Sequence, residues 1–424
     1  MAASKEVAKN QALSAAGRSA YAVALGSAFS AGSGILILFI ASHSLTKQEN
    51  SEFLAFWAAL FFVYGIVGGV QTESTRASSA VAAKGGSQDS RHPRLITAGL
   101  ISGGVVAALI AALSPLLTTF NFFHHSEVIS LGLVLTAVLY SGHCALAGSL
   151  QGSGRWPVFG RLLILDALLR LACVGAVAAG ALGLLGLEVA CFCALAAWLI
   201  LLATSRAARQ TLQSRADVTL RKLLGQIFHA VISSISSAAL VVAFPLLVKL
   251  TTAPDVFEQS APLLLAISMT RAPIMVPLQA FQGVAITHVV RAGSEGWRVL
   301  RNPIVVLLTV GGAGAILAYF IGPNLMLIFG TGYEVSGMTL ALLTLASIAM
   351  AVLTLTGTAT LSVGHHRSFS SGWVVATAVA VAVLVLPLPL EARCILSLTL
   401  GPTLGVTVHV LSLWRGSKDA PATV

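Results

Sequence analysis

Apolar positions in this chain come in long runs rather than at a helical or alternating period. A polar stretch, MAASKEVAKNQALSAAGRSA, opens it, and from about residue 21 apolar runs alternate with short polar segments to the end. A run of about 20 residues wound as an α-helix covers a hydrocarbon core of about 30 Å. The runs predict twelve spans, at 21–43, 53–72, 95–119, 128–149, 161–182, 186–205, 225–249, 260–283, 303–322, 336–358, 371–389 and 394–414. The expected fold class is therefore an all-α polytopic membrane protein, because a backbone crossing lipid must satisfy its own polar groups. No soluble domain fits between the spans. No small-residue cleavage site follows the polar opening, so the first span is expected to be retained rather than removed as a signal peptide.

Composition agrees: 56% of the 424 residues are hydrophobic and 9% charged, against roughly 25% charged in a soluble domain. A net charge of +10 would raise nucleic acid as a partner for a soluble protein, but here the charges follow membrane sidedness. With the N-terminus inside, 20 basic residues fall on the cytoplasmic side and only Lys47, Lys249 and Arg393 outside. That asymmetry places both termini in the cytoplasm. The excess of arginine over lysine, with the Ala/Gly/Val richness, suggests a bacterial chain in the cytoplasmic (inner) membrane. Cys144, Cys173, Cys191, Cys193 and Cys394 show no CxxC or ligand spacing and read as small core residues.

The spans divide evenly. A cytoplasmic segment 1–20 precedes an N-lobe at 21–205, a basic linker at 206–224 reads as a hinge, a C-lobe occupies 225–414, and 415–424 form a tail. The lobes carry a repeat. Residues 94–127 and 301–334 both run from arginine to glutamate and carry a Gly-Gly pair (Gly103-Gly104, Gly311-Gly312) and a late proline (Pro115, Pro323), at an offset of 207 or 208. Gly152 and Arg155 answer to Gly364 and Arg367 at an offset of 212. Six spans per half make the repeat parallel, an arrangement typical of transporters with a site between the lobes.

Two basic residues fall inside spans. Arg271 stands about 11 residues from one end of its span and 12 from the other, roughly 17 Å from either interface. Such a charge costs roughly 2.5–3.5 kcal/mol on insertion scales and normally faces protein or a wet cavity. Either it satisfies carbonyls freed by the helix-loosening Pro273 and Pro277, or it holds an anionic group of a substrate; the two are compatible. In RLLILDALLRLA, Arg161, Asp166 and Arg170 lie near one stripe, and Asp166 and Arg170 are spaced i,i+4 with the acid first, the favourable order. They read equally as a self-neutralised pair and as a substrate-facing one. GVQTESTR places Gln71, Glu73 and Arg76 at the inner mouth. The pairs His124-His125 and His365-His366 have no companion ligands and read as loop residues. No nucleophile elbow, phosphate loop or paired-carboxylate site is present, so neither enzyme chemistry nor a metal or cofactor is expected. Whether H+ or Na+ couples to transport is open.

Several stretches resemble bacterial polysaccharide flippases: SLTKQENSEFLAFWAALFFVYGIVGGVQTESTR (44–76), LQGSGRWPVFGRLLILDALLRL, SMTRAPIMVPLQAFQGV and LIFGTGYEVSGMTLALLTLA. These belong to the multidrug/oligosaccharidyl-lipid/polysaccharide exporter superfamily. The resemblance implies two six-helix lobes, alternating access, and movement of a polyprenyl-diphosphate-linked oligosaccharide for surface-polysaccharide assembly, with a polymerase or glycosyltransferases as partners beside membrane lipids. It implies cavity-lining cations, carried here by Arg271 and Arg170. The alternative is a secondary-active multidrug or small-solute exporter of the same superfamily. Taking Asp166 as the one acid well inside a span, the balance against Arg170 and Arg271 is +1 and favours an anion. A major-facilitator porter lacks its signature in the loop after the second span, and a glycan polymerase lacks a large outer loop.

Overall fold

A computed structural model describes residues 2–84, 90–119, 122–292, 301–362 and 366–419. Twelve principal helices follow one another: α1 (Ala2–Ser44), α2 (Lys47–Ala83), α3 (Leu95–Thr119), α4 (Ser126–Gly152), α5 (Trp156–Ala179), α6 (Gly183–Thr204), α7 (Leu220–Val241), α8 (Ala261–Ala292), α9 (Arg301–Met326), α10 (Gly337–Ser362), α11 (His366–Leu384) and α12 (Leu390–Asp419). Among the described residues eleven helices are long and apolar enough to cross a membrane; α8 contributes a shorter apolar stretch, Ala261–Met275. The chain is a multi-pass membrane protein.

Each predicted span contains a helix, and local chemistry sets the ends. Thr46 and Glu49 form a reciprocal capping box at the start of α2: the Thr46 amide donates to Glu49 Oε2 at 2.9 Å and the Glu49 amide to Thr46 Oγ1 at 3.3 Å, satisfying donors the first turn cannot pair. Ser336 Oγ accepts the Thr339 amide before α10. The seventh span, predicted as one helix over 225–249, is broken. α7 ends at Val241 and a short helix, Phe244–Thr251, resumes with Pro245 in its first turn. Pro245 has no N–H to return to the carbonyl four residues back, so the helix cannot run through it.

Residues 1–40 and 63–234 form one compact unit, and 41–62 with 235–424 a second. In the first, α2, α3 and α4 pack through small residues, which let backbones approach where no hydrophobic force drives helices together. A Cβ on Gly148 would collide with the Gln71 carbonyl oxygen, and one on Gly152 with that of Thr75. On the other side of α4, a Cβ on Gly103 would lie 2.6 Å from the Ala137 carbonyl oxygen. In the second unit α12 meets α11 the same way, with Gly405 2.7 Å, by the same measure, from the Gly372 carbonyl oxygen.

The repeat is visible in this packing. Gly103 of α3 faces Ser141 of α4, and Gly311 of α9 faces Ile348 of α10; Ser141 and Ile348 are themselves 207 residues apart. The second glycine of each pair, Gly104 and Gly312, has nothing within 4 Å. Two helical hairpins in different units thus use the same face of the same motif. Gly364, half of the other repeat match, lies outside the described residues.

The linker is fastened along its length within the first unit. A short helix, Arg206–Thr211, is capped by Ser205, whose hydroxyl accepts the Ala208 amide. Arg155 donates to the Ala207 carbonyl and Thr211, Arg215 to the Ser90 and His92 carbonyls, and the Leu95 amide to the Ser214 carbonyl. The segment whose basic composition suggests a hinge is thus hydrogen-bonded to α3, the loop before α5 and residues 90–92.

Candidate functional site

Asp166 and Arg170 lie one turn apart on α5 and are buried, at 7% and 5% exposure. Arg170 Nη2 is 2.9 Å from Asp166 Oδ2. The same nitrogen donates to Tyr64 Oη of α2 at 3.4 Å, and the guanidinium carbon stands 5.5 Å from the Tyr64 ring centroid. Tyr64 stacks on Tyr140 of α4 with centroids 3.7 Å apart, and Tyr140 on His143 at 4.6 Å. A column of three rings therefore abuts the ion pair. Among the described residues Asp166 Oδ1 and His143 Nδ1 are buried without a hydrogen-bond partner. The carboxylate oxygen beside aromatic faces is an acceptor that suits a cation or hydrogen-bond donor, while His143 Nδ1 donates or accepts according to its tautomer. The sequence motifs point to the pair but not to Tyr64, Tyr140 or His143, which look like ordinary span residues.

Glu188 changes the charge balance. It lies in α6 at 1% exposure, whereas the predicted span 186–205 leaves it at an edge. Two acids, Asp166 and Glu188, now stand against two arginines, Arg170 and Arg271, and the expected excess of +1 becomes zero.

Arg271 is half-buried in α8, and its Nη1 donates to the carbonyl oxygen of Val241. That carbonyl is the one Pro245 cannot satisfy. A proline does free the carbonyl that Arg271 binds, but it lies in the seventh span, not in α8. Residues 261–292 are helical through both Pro273 and Pro277; Pro273 is exposed, and the Pro277 side chain lies outside the described residues. Among the described residues Arg271 Nε has no hydrogen-bond partner.

At the other end of α2, Gln71 and Thr75 both donate to Gln151 Oε1 of α4, at 3.3 and 3.0 Å. Glu73 and Arg76 face the linker instead. Arg76 lies 2.6 Å from Glu73 and 2.9 Å from Asp217, and reaches Gln226 of α7. The expected inner-mouth cation is thus engaged on several sides. Its guanidinium holds the Asp217 carboxyl below the usual carboxylate range. A lowered folded-state value means the clasp stabilises above the ordinary pKa of about 3.9 and loses that contribution as pH falls through the folded value. Arg76 is exposed, so the effect is about 1 kcal/mol or less. Thermal midpoints of the wild type and Asp217→Asn should differ at pH 7, and the gap should narrow as the pH is taken below the ordinary carboxylate pKa; a gap unchanged down to the acid limit would remove the clasp.

Arg161 is exposed, apart from the buried pair whose stripe it was expected to share. His124 and His125 stand ring to ring at 5.0 Å; His365 and the His366 side chain lie outside the described residues. Among the described residues no group of three His, Cys, Asp or Glu could hold a metal.

No family profile matches the chain. It is similar along its length to solved transporters: TM-score 0.68 and 13% identity to a multidrug resistance MATE family transporter of the MOP superfamily in its inward-facing conformation, covering 94% of this chain and 96% of that one. The same score and identity relate it to a MOP superfamily transporter from Pyrococcus furiosus, over 94% and 95%. These likenesses establish the fold, a MATE-like pair of lobes with about twelve helices. In sequence the chain is 34% identical over 383 residues to the uncharacterized protein Rv1510 of Mycobacterium tuberculosis, covering 89% of this chain and 88% of that protein. It is 34% identical over 391 residues to the uncharacterized protein Rv3630 of the same species, covering 90% and 89%. The chain belongs to the family of these mycobacterial proteins, and its fold is MATE-like.

Proposed function

We propose that the chain is a secondary-active exporter of amphipathic small solutes, neutral or cationic, working by alternating access in the cytoplasmic membrane. The observation that carries this reading is the state of the intramembrane charges. Arg170 is neutralised by Asp166, Arg271 is committed to the Val241 carbonyl, and Glu188 cancels the excess of positive charge. A diphosphate-bearing cargo calls for the opposite, cations held in reserve for it. The whole-length likeness to MATE transporters supports the same reading.

Movement of a lipid-linked oligosaccharide, with a polymerase or glycosyltransferases downstream, is the second reading. The open Nε of Arg271 favours it. The Pyrococcus furiosus transporter of like fold is described as having a binding pocket of reverse polarity that suggests a different function. Depletion in the native host separates the two. The proposal expects ethidium accumulation to rise severalfold while the pool of polyprenyl-linked glycans is unchanged. Build-up of one such glycan with unchanged ethidium would overturn it. In that case Arg271→Ala should abolish export and Arg271→Lys keep part of it.

A further inference from the structure

Two turns singled out by their sequence, SLTKQENSEF after α1 and LIFGTGYEVSG before α10, meet in the structure. Asn50 Nδ2 donates to Tyr333 Oη at 2.6 Å across 283 residues, and the two side chains are 1% and 2% exposed. Ser51, at 0% exposure, has its hydroxyl 3.1 Å from the Glu258 carbonyl oxygen and equally from the Lys47 carbonyl oxygen of its own helix, and donates to this pair. Glu52 pairs with Lys249, whose ammonium also lies 5.3 Å from the Phe257 ring centroid. Three consecutive residues thus engage three separate segments of the second unit. Gly332, at φ +81°, admits the Lys47 side chain where a Cβ would overlap it. Accordingly residues 41–62 pack with 235–424, while the rest of α1 and α2 belongs to the first unit.

We propose that Asn50, Ser51 and Glu52 form a latch that docks the α1–α2 turn at the end of the protein predicted to face outside, and that its release is an obligatory step in outward opening. This rests on the alternating-access reading. The chemistry is that of a releasable contact. Polar groups that let go of one another regain hydrogen bonds to water, whereas an apolar seal loses its burial. Asn50 Oδ1 is buried without a partner, so undocking hydrates an acceptor that docking leaves unsatisfied. The ion pair opposes this and holds the turn closed.

Ser51→Cys places a thiol at the buried centre of the latch. Its rate of reaction with a membrane-impermeant maleimide, with the parent chain as blank, reads release without any cargo. The rate should be slow in the otherwise unchanged protein. It should rise at least about tenfold with Lys249→Ala, which takes away the ammonium that Glu52 pairs with, and return to slow in Glu52→Lys with Lys249→Glu. If Lys249→Ala does not accumulate, Tyr333→Phe removes only a hydroxyl and should raise the rate severalfold. Rapid labelling of Ser51→Cys with no second change, or a rate unmoved by both variants, overturns the latch whatever an efflux assay returns. A reductant-cleavable bis-maleimide joining Glu52→Cys to Lys249→Cys should stop ethidium efflux and a reductant restore it; undiminished efflux with the cross-link in place would show that release is not required. If the labelling behaves as expected in a chain that moves no ethidium, the export reading fails while the docking stands.

Discussion

Asp166→Ala is expected to remove most of the folded protein, and Asp166→Leu combined with Arg170→Met to bring it back. The single change removes the carboxylate 2.9 Å from the Arg170 guanidinium, which is 5% exposed. Removing one member of a buried pair costs about 3–5 kcal/mol, whereas replacing both with apolar groups of similar volume is close to neutral. Tyr64 Oη, at 3.4 Å, is a neutral hydroxyl and does not replace a carboxylate. The measurement is the amount and thermal midpoint of monodisperse protein in detergent. The restored double variant then asks a second question. Lost ethidium efflux in a folded protein would assign the pair to transport, and retained efflux would make it structural.

Gly103→Ala and Gly104→Ala, one residue apart, are expected to act in opposite directions. Alanine is favoured over glycine in a helix interior by about 1 kcal/mol, so an open position gains. Gly104 is open, and its variant should melt at the same temperature or higher. At Gly103 the added methyl would sit 2.6 Å from both the Ala137 carbonyl oxygen and the Ser141 Cβ. Backbone on the facing helix cannot step aside, and overpacking of this kind costs about 1–3 kcal/mol. The repeat extends the forecast: Gly312→Ala should behave like Gly104→Ala. Gly311→Ala should be milder than Gly103→Ala, because its neighbour is the flexible end of the Ile348 side chain. Equal effects at Gly103 and Gly104 would contradict the α3–α4 seam.

What was legible in the sequence follows from what is local. Span length and the repeat are properties of runs and offsets, and the helices appear where the runs place them. The break at Pro245 was legible too, since a proline well inside a predicted span is a local signal, yet hydropathy alone carries the span straight through it. Its consequence, that Arg271 takes the orphaned Val241 carbonyl, was not, because it needs α7 and α8 side by side. The same holds for the ring column. Tyr64, Tyr140 and His143 sit in apolar runs like any core residue, and only packing brings them to Asp166 and Arg170. Glu188 was lost to a boundary placed about three residues late. Both halves of the latch could be recognised as turns, but not as partners.

The most direct measurement of the account is transport by the purified chain in liposomes, with ethidium as cargo and a proton or sodium gradient as the drive. The account predicts ethidium movement against its gradient that collapses with an ionophore and is unaffected by added polyprenyl diphosphate. An inert chain under both gradients, or one that moves a fluorescent polyprenyl-diphosphate glycan between leaflets and leaves ethidium untouched, would contradict it.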